Sequence, residues 1–215
     1  MLTQGDGRCY LAAAMFYRAS NAKQRSLVEV AYGQGGHFTA AQARTAGYPK
    51  QLHSYHVKRG NWLRVGHGLY RLRWWPPSAH EDLVRWTVWS GMVAVVSHET
   101  ALAVHDMSTT MPDKIHLTVP PGFRKRPPSN LVLHRGKLSV HETEQRDWFR
   151  VTPPLRTLID AAEVGLGVVR LSHGMREALR KGLLAREHIE VALAKLHGPA
   201  AERLLRAYLK VQNAA

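Results

Sequence analysis

Residues 38–73, FTAAQARTAGYPKQLHSYHVKRGNWLRVGHGLYRLR, decide the fold of the first third of this chain. Thr39 suits the N-cap of a short helix, because its hydroxyl can accept a hydrogen bond from an unpaired amide of the first turn. Gly47 suits the left-handed residue that ends such a helix. Pro49 fits the first turn of a second helix, which Gly60 would close. The stretch therefore predicts two helices joined by a glycine-containing turn.

Strand-like residues follow the second predicted helix. Residues 62–65 and 69–73 alternate on either side of Gly66-His67-Gly68, which predicts a β-hairpin. Upstream, residues 21–36 carry an apolar stripe at helical spacing, formed by Leu27, Val28, Ala31 and Tyr32. Three helices followed by a hairpin are the elements of a winged helix-turn-helix. In the second short helix, the apolar character of Leu52 and Tyr55 predicts that they face the core.

The remainder of the chain predicts a second domain. Pro76-Pro77-Ser78 indicate a stiff linker, so the expected boundaries are an extension of poor order at 1–19, a winged module at 20–75, the linker at 76–78 and an effector domain at 79–215. Residues 115–119 and 131–134 have strand character, and the pattern from Pro154 onward is helical. The predicted fold class is α+β: an N-terminal winged helix-turn-helix, then a mixed α/β domain with a helical C-terminal tail.

Positive charge is concentrated in the predicted winged module. The chain has 30 Lys and Arg against 16 Asp and Glu, a formal charge of +14. Residues 20–75 alone contain nine basic side chains and one acidic side chain, Glu29. Such a local excess of positive charge attracts a polyanion. In proteins it usually serves to bind nucleic acid, because basic side chains neutralise the phosphates and release their counterions. The charge therefore favours double-stranded DNA as a partner.

Other classes of protein receive little support from the composition. Cys9 is the single cysteine, which excludes an internal disulfide and a cysteine-based zinc cluster and fits a cytoplasmic location. The thirteen histidines are scattered without the spacing of a metal site, so we expect neither a metal nor a cofactor. No run of 18 apolar residues is present, and no membrane association is expected.

Three motifs, in order, resemble the AbiEi-type antitoxins of bacterial type IV toxin–antitoxin systems. The first is GHFTAAQA at 36–43 with Gly47 and the hairpin GNWLRVGHGLYRL at 60–72. The second is SHETAL at 97–102 with the segment 112–120, which contains IHLT. The third is VTPPLRTLID at 151–160. Together they span roughly residues 24–165.

The resemblance implies a DNA-binding repressor of its own operon that reads inverted repeats as a monomer or a dimer. It further implies that the C-terminal domain counters a toxin with a nucleotidyltransferase-like fold, and that the chain is not an enzyme. The cationic tail is the expected antitoxin surface: Arg170, Arg176, Arg180, Lys181, Arg186, Arg203, Arg206 and Lys210.

The predicted DNA contacts follow from the geometry of a helix-turn-helix, in which the second helix enters the major groove. The recognition helix supplies Tyr48, Lys50, Gln51, His53, Ser54, Lys58 and Arg59. The wing supplies Arg64, His67, Arg71 and Arg73, since an arginine beside a glycine-rich tip can approach phosphate or the minor groove. The alternative for both sets is that these side chains lie on a solvated face of the module and do not contact DNA.

Two other functions stay open from the sequence. A regulator outside toxin–antitoxin systems could use its second domain to bind a small ligand. A DNA-targeted nuclease would need metal-binding acids, but Asp113 has no acid–lysine pair after it.

Two local groupings in the second domain suggest structural rather than catalytic roles. Ser97, His98 and Glu99 are adjacent, and adjacent residues on a helix point in different directions, so they do not form a catalytic triad; helix capping explains Ser97 and Glu99 better. Arg156 and Asp160 predict an ion pair within one helix.

Overall fold

The computed structural model describes residues 21–213. They form two compact units, the first ending at Met92 and the second beginning at Val93. The extension expected at 1–19 lies outside the described residues. Within the described part of the chain, no helix is long and apolar enough to cross a membrane. The α+β class is confirmed, because each unit combines helices with a sheet.

The first unit contains four helices and a three-stranded sheet among its described residues. In chain order these are α1 (Ala22–Tyr32), β1 (His37–Thr39), α2 (Ala40–Thr45), α3 (Lys50–Lys58), β2 (Trp62–Gly66), β3 (Leu69–Leu72) and α4 (Glu81–Ser90). The strand order is β1-β3-β2 and both pairings are antiparallel. Strand β1 was not predicted; it forms because Phe38 lies opposite Tyr70 in the register of the sheet.

The predicted cap of α2 is confirmed as a reciprocal capping box. The amide of Gln42 donates to Oγ1 of Thr39 at 3.2 Å, and the amide of Thr39 donates to Oε1 of Gln42 at 2.8 Å. Gly47 has φ +90°, the left-handed conformation expected at the end of this helix. Local chemistry therefore sets both ends of α2 and the turn into α3.

Aromatic rings form the centre of the first unit. Phe38 is fully buried, and its ring centroid lies 5.0 Å from Trp62 and 5.8 Å from Tyr70. His53 of α3 joins them, with its ring 5.5 Å from those of both Trp62 and Tyr70. We call Phe38, His53, Trp62 and Tyr70 the aromatic core. It joins α3 to all three strands.

Helix α4 belongs to the first unit, although the sequence placed the domain boundary before it. Oε1 of Glu81 lies 3.3 Å from Nε of Arg71 in β3, and Arg85 donates to the carbonyl of Val65 at 3.4 Å. Leu83, Val84 and Val88 are buried as α4 packs beside β1. Pro76 and Pro77 thus follow the hairpin, and after them the chain returns to pack on the same sheet.

The second unit begins with a five-stranded mixed sheet. Its elements are β4 (Val95–Val96), α5 (His98–Val104), β5 (Ile115–Val119), β6 (Leu131–Arg135), a 3₁₀ turn (Val140–Glu142), β7 (Glu144–Arg146), β8 (Phe149–Val151), α6 (Pro154–Glu163), α7 (Val168–Arg180), α8 (Arg186–Lys195) and α9 (Pro199–Gln212). The strand order is β6-β5-β4-β8-β7, with the pairs β5–β6 and β4–β8 parallel.

The predicted helical tail is confirmed as the main core of the second unit. Leu158 of α6, Leu171 and Met175 of α7, and Ala207 of α9 are fully buried in one cluster. Gly174 permits this packing, because a Cβ there would lie 3.0 Å from the carbonyl oxygen of Met107.

We expect Phe38→Ala to lower the free energy of unfolding of the first unit by about 3–5 kcal/mol, because it removes a fully buried ring from the aromatic core. Urea unfolding followed by tryptophan fluorescence measures this change. Tyr55→Ala is the matched control, since that ring is 50% exposed and its loss should change stability little. Equal effects of the two substitutions would contradict this description of the core.

Candidate nucleic-acid interface

Helix α3 presents one continuous polar face. Five of its six exposed side chains lie within one arc at helical spacing: Lys50, Gln51, Ser54, Tyr55 and Lys58. We call these five residues the polar face of α3. Four of them were candidates from the sequence, and Tyr55 was missed because its aromatic ring suggested burial. Arg59, just beyond the helix, places its guanidinium 5.4 Å from the centre of the Tyr55 ring.

The predicted base contact by His53 is incompatible with its position in the structure. Its side chain is 3% exposed, within the aromatic core, and its Nε2 lies 2.9 Å from the carbonyl oxygen of Tyr48. The buried carbonyl needs a donor, and the imidazole provides one. Conversely, Leu52 and Tyr55 were expected in the core but are 41% and 50% exposed. The helix is rotated so that His53, rather than Leu52, faces inward.

Tyr48 lies at the side of α3 rather than on its polar face. Its ring is half-buried, 5.0 Å from His56 and 5.2 Å from Trp62, both in edge-on arrangements. Burial raises the pKa of its phenol. The predicted role of Tyr48 in base contact therefore receives no geometric support.

The hairpin places three of the four predicted wing residues on the surface. Arg64, His67 and Arg73 are exposed, with His67 at the tip between β2 and β3. Gly68 has φ +64°, and its carbonyl accepts from the amide of Ala40 at 2.8 Å. This hydrogen bond attaches the tip of the hairpin to the start of α2.

Arg71, the fourth predicted wing residue, is a structural side chain. It is 7% exposed, and its Nη2 donates to the carbonyl of Trp75 at 2.6 Å. Its Nε also faces Glu81, as described above. Strand alternation predicted an exposed position, but the carbonyl of Trp75 and the carboxylate of Glu81 lie against this side chain. A buried arginine with these partners is unavailable to phosphate.

The surface of the first unit is strongly cationic between residues 21 and 75. Of the nine basic side chains in this range, all but Arg71 are exposed. Glu29, the single acid of the range, is exposed on α1. A surface with this imbalance has a positive potential that favours polyanions. The polar face of α3 and the hairpin tip thus belong to one cationic module.

Comparison with known proteins gives a family that this module resembles. Residues 25–73 match a family model described as "Transcriptional regulator, AbiEi antitoxin". Residues 25–73 are therefore similar to the AbiEi family. The resemblance predicted from the sequence is confirmed over these residues. The description of that family is of a transcriptional regulator.

Among solved structures, the RV2827C protein from Mycobacterium tuberculosis has a similar fold. The TM-score is 0.57 at 14% sequence identity, and the match covers 86% of this chain and 76% of that chain. At this identity the likeness concerns the fold alone. No curated protein sequence matches the chain.

In the second unit, the side chain of Ser97 does not cap α5 as expected. Oγ of Ser97 makes no capping bond; it accepts from Oγ1 of Thr118 at 2.8 Å and lies 2.8 Å from Nδ1 of His98. Ser97 and His98 touch although they are adjacent, because Ser97 lies in extended backbone before the helix and not on it. Ser97 is nevertheless fully buried, which denies a substrate access to its hydroxyl.

Three histidines meet beside this serine. The ring of His98 stacks on that of His134 with centroids 3.5 Å apart, and Nδ1 of His116 lies 3.1 Å from Nε2 of His134. Burial, with His134 next in effect, lowers the pKa of His98 to about 3; burial and His116 lower that of His134 to about 4. Within the described residues, no group of acids, histidines or cysteines has the arrangement of a metal site. The cluster is a polar group at the edge of the core, with His98 buried and His116 and His134 half-buried.

The predicted pair of Arg156 and Asp160 is confirmed, and it is part of a larger group. Nε of Arg156 lies 2.6 Å from Oδ1 of Asp160, and its Nη1 lies 2.6 Å from Oε1 of Glu142. Asp160 is 2% exposed, and burial raises the pKa of its carboxyl to about 6 against the opposing effect of Arg156. This interaction links α6 to the 3₁₀ turn.

The cations expected to form an antitoxin surface differ in their surroundings. Arg170, Arg180 and Lys181 form ion pairs with Glu99, Glu177 and Asp106, respectively. Arg206 lies 3.8 Å from Glu202. Arg203 is half-buried and donates to the carbonyl of Ala162 at 3.0 Å, so it contributes to the fold. Arg176 and Arg186 are exposed.

We expect Arg71→Ala to destabilise the first unit by about 3–5 kcal/mol, because it leaves the carbonyl of Trp75 and the carboxylate of Glu81 without their buried partner. Arg64→Ala, in the same hairpin, should leave the urea midpoint almost unchanged because Arg64 is exposed. Chemical denaturation of both variants tests this difference. If Arg71→Ala is as stable as Arg64→Ala, Arg71 has no structural role and is again a candidate for DNA contact.

The histidine cluster predicts a loss of stability in acid. The folded-state pKa values of His98 and His134, about 3 and about 4, lie below the reference value of 6.5. The unfolded chain therefore binds more protons as pH falls from about 7 to about 5, and the free energy of unfolding decreases over this range. Asp160 has the opposite effect on the free energy of unfolding. Its folded-state pKa is raised from 3.8, so below about pH 6 the folded chain binds the extra proton and is stabilised as pH falls.

Urea unfolding at several pH values measures this dependence. His134→Gln should flatten it, because that variant removes one titrating ring and the neighbour that further lowers the pKa of His98. His197→Gln, at an exposed position, is the matched control. An unchanged pH profile in His134→Gln would contradict the assignment.

Proposed function

We propose that the first unit is a winged helix-turn-helix that binds operator DNA sequence-specifically and represses its own toxin–antitoxin operon. The observation that carries this proposal is the polar face of α3, which stands beside a cationic hairpin in a module similar to a family of transcriptional regulators. The order of elements from α1 to β3 is that of a winged helix. The proposed partner is double-stranded DNA with inverted repeats, and the proposed location is the cytoplasm.

Base recognition is assigned to the N-terminal half of the polar face. With α3 in the major groove, the amide of Gln51 can pair with the N6 and N7 positions of adenine. Lys50 suits guanine or a phosphate, and Ser54 can donate or accept at a base edge. Tyr55 joins the set because its ring is exposed between these groups. His53 does not take part.

Phosphate contacts are assigned to the flanking cations. Lys58 and Arg59 lie at the C-terminal end of α3, where the helix leaves the groove. Arg64 and His67 of the hairpin approach the sugar-phosphate backbone or the minor groove, with Arg73 farther along the same hairpin. These contacts carry affinity and its salt dependence, and the base contacts carry specificity.

The second unit is the proposed antitoxin part. It would bind a nucleotidyltransferase-like toxin through helices α7 to α9, acting by binding and not by catalysis. Arg176 and Arg186 are the leading contact residues, because they are exposed and, unlike the paired cations of these helices, stand in none of the ion pairs described above. The paired cations of these helices, Arg170, Arg180, Lys181 and Arg206, complete the proposed surface, while Arg203 supports it from within.

Fluorescence anisotropy on the DNA upstream of the gene, compared with scrambled DNA at several salt concentrations, tests operator binding. We expect Lys50→Ala/Gln51→Ala to weaken operator binding by about 10- to 100-fold, since each base contact contributes about 1–3 kcal/mol. Binding to scrambled DNA should change much less, because phosphate contacts supply it. Lys195→Ala/Gln212→Ala removes the same side-chain types from exposed positions of the second unit and is the matched control.

Two results would count against this proposal. Equal, steeply salt-dependent binding to operator and scrambled DNA would reduce the module to a non-specific anchor. Retention of operator preference by the Lys50→Ala/Gln51→Ala variant would place recognition outside α3.

Co-expression with a nucleotidyltransferase-like protein encoded beside the gene tests the antitoxin role. We expect growth to be restored by the full chain and lost with Arg176→Glu/Arg186→Glu, because charge reversal repels an acidic toxin surface. Arg124→Glu/Arg126→Glu, in an exposed loop of the same unit, is the matched control for added negative charge. Full protection by the first variant would exclude this surface.

A further inference from the structure

A cavity of about 520 Å³ lies in the first unit beside the proposed recognition helix. Its apolar part is formed by Leu27 and Val28 of α1 with Leu72 of β3. Tyr48, Leu52 and His56 line it from the side of α3. This volume falls within the usual range of small-molecule sites.

Flat aromatic surfaces form one wall of the cavity. The ring of His56 stacks on Trp62 with centroids 4.6 Å apart and planes inclined by 18°, and Tyr48 meets both rings edge-on. Nδ2 of Asn61 lies 3.1 Å from Nδ1 of His56 and fixes the imidazole plane. Such a wall favours a planar ligand, because offset stacking and edge contacts add to the burial of apolar area.

The polar residues at the cavity favour a negative group on that ligand. Lys23 supplies a positive charge, and Asn21, Gln24 and Asn61 supply amide donors. Of the described residues that line the cavity, none is acidic. The lysine stem crosses Gly47, where a Cβ would lie 3.0 Å from Cγ of Lys23. An anion therefore finds attraction and no opposing carboxylate at this wall.

The cavity and the polar face are neighbouring sides of one helix. Residues 48, 52 and 56 follow each other at four-residue spacing along the cavity, whereas 50, 51, 54 and 58 face away from it. Leu52 is 41% exposed at the cavity, an apolar side chain that a ligand would cover. A molecule bound here contacts α1, the hairpin and α3 together, so it biases the position of α3.

We propose that this cavity binds a small planar aromatic carboxylic acid and that its occupation changes the affinity of the first unit for DNA. The first half of this proposal is independent of the proposed function, and the second half rests on it. The carboxylate lies near Lys23, and the ring lies against His56, which itself stacks on the buried Trp62. A ligand that binds the DNA-bound and free forms with different affinity shifts operator binding by the same factor.

Isothermal titration calorimetry with salicylate, using the full chain, tests the site. We expect saturable one-to-one binding, and weaker binding of salicylamide, which has the same ring without the charge. Lys23→Gln should weaken salicylate binding by about two- to fivefold and leave salicylamide unaffected, as expected for an exposed ion pair. Equal binding of the two probes would overturn the assignment of a carboxylate.

Leu52→Trp should block the cavity, and Leu205→Trp is the matched control at a similarly exposed leucine of the second unit. The two exposed positions avoid disturbing the core. Loss of salicylate binding in the first variant alone supports the site. Failure of salicylate to saturate the unmodified chain, or equal binding by both variants, would overturn it.

Anisotropy on operator DNA with and without salicylate separates the two proposals. We expect the dissociation constant for DNA to change by at least about fivefold on saturation, the lower end of typical coupling between sites. This change should be absent in Leu52→Trp. Salicylate binding without any DNA binding would overturn the proposed function and leave the cavity assignment standing. DNA binding that salicylate leaves unchanged would overturn the coupling.

Discussion

Burial of His53 is the interaction on which the arrangement of the first unit depends. The imidazole packs against Trp62 and Tyr70 and satisfies the carbonyl of Tyr48 at 2.9 Å. An unsatisfied carbonyl in that position would cost about 1–3 kcal/mol, so the rotation of α3 about its axis is well determined. With His53 inward, the polar face must point outward and Leu52 must point sideways. The proposed DNA surface and the proposed ligand cavity are both consequences of this one rotation.

A second constraint holds the wing. Arg71 connects β3 to the carbonyl of Trp75 and to Glu81 at the start of α4. A buried cation is tolerated only where hydrogen bonds and an opposite charge surround it, and these partners all come from the segment after the hairpin. The proposed wing is therefore part of a unit that includes α4. This is why the first unit extends to Met92 and not to the diproline.

Local chemistry made part of this structure predictable. The capping box at Thr39, the left-handed Gly47 and the hairpin around Gly66-His67-Gly68 are short-range features, and the sequence showed each of them. His53 and Arg71 could not be assigned in this way, because polar side chains are usually exposed and their burial here depends on partners that the fold brings together. Ser97 was misjudged for the related reason that its true partner, Thr118, lies 21 residues away.

The two units differ in how many of their cations are paired with acids, and this difference affects which partner each unit can recognise. Between residues 21 and 75, eight exposed cations share the surface with one acid, Glu29, so the field of the module extends into solvent. In the helices of the second unit, several cations are paired with acids of the same unit, as in Arg170–Glu99 and Arg180–Glu177. Internal pairing shortens the reach of those charges, because each pair has little net field. Long-range attraction of a polyanion is therefore expected from the first unit, whereas a partner of the second must be recognised mainly by close contact and shape.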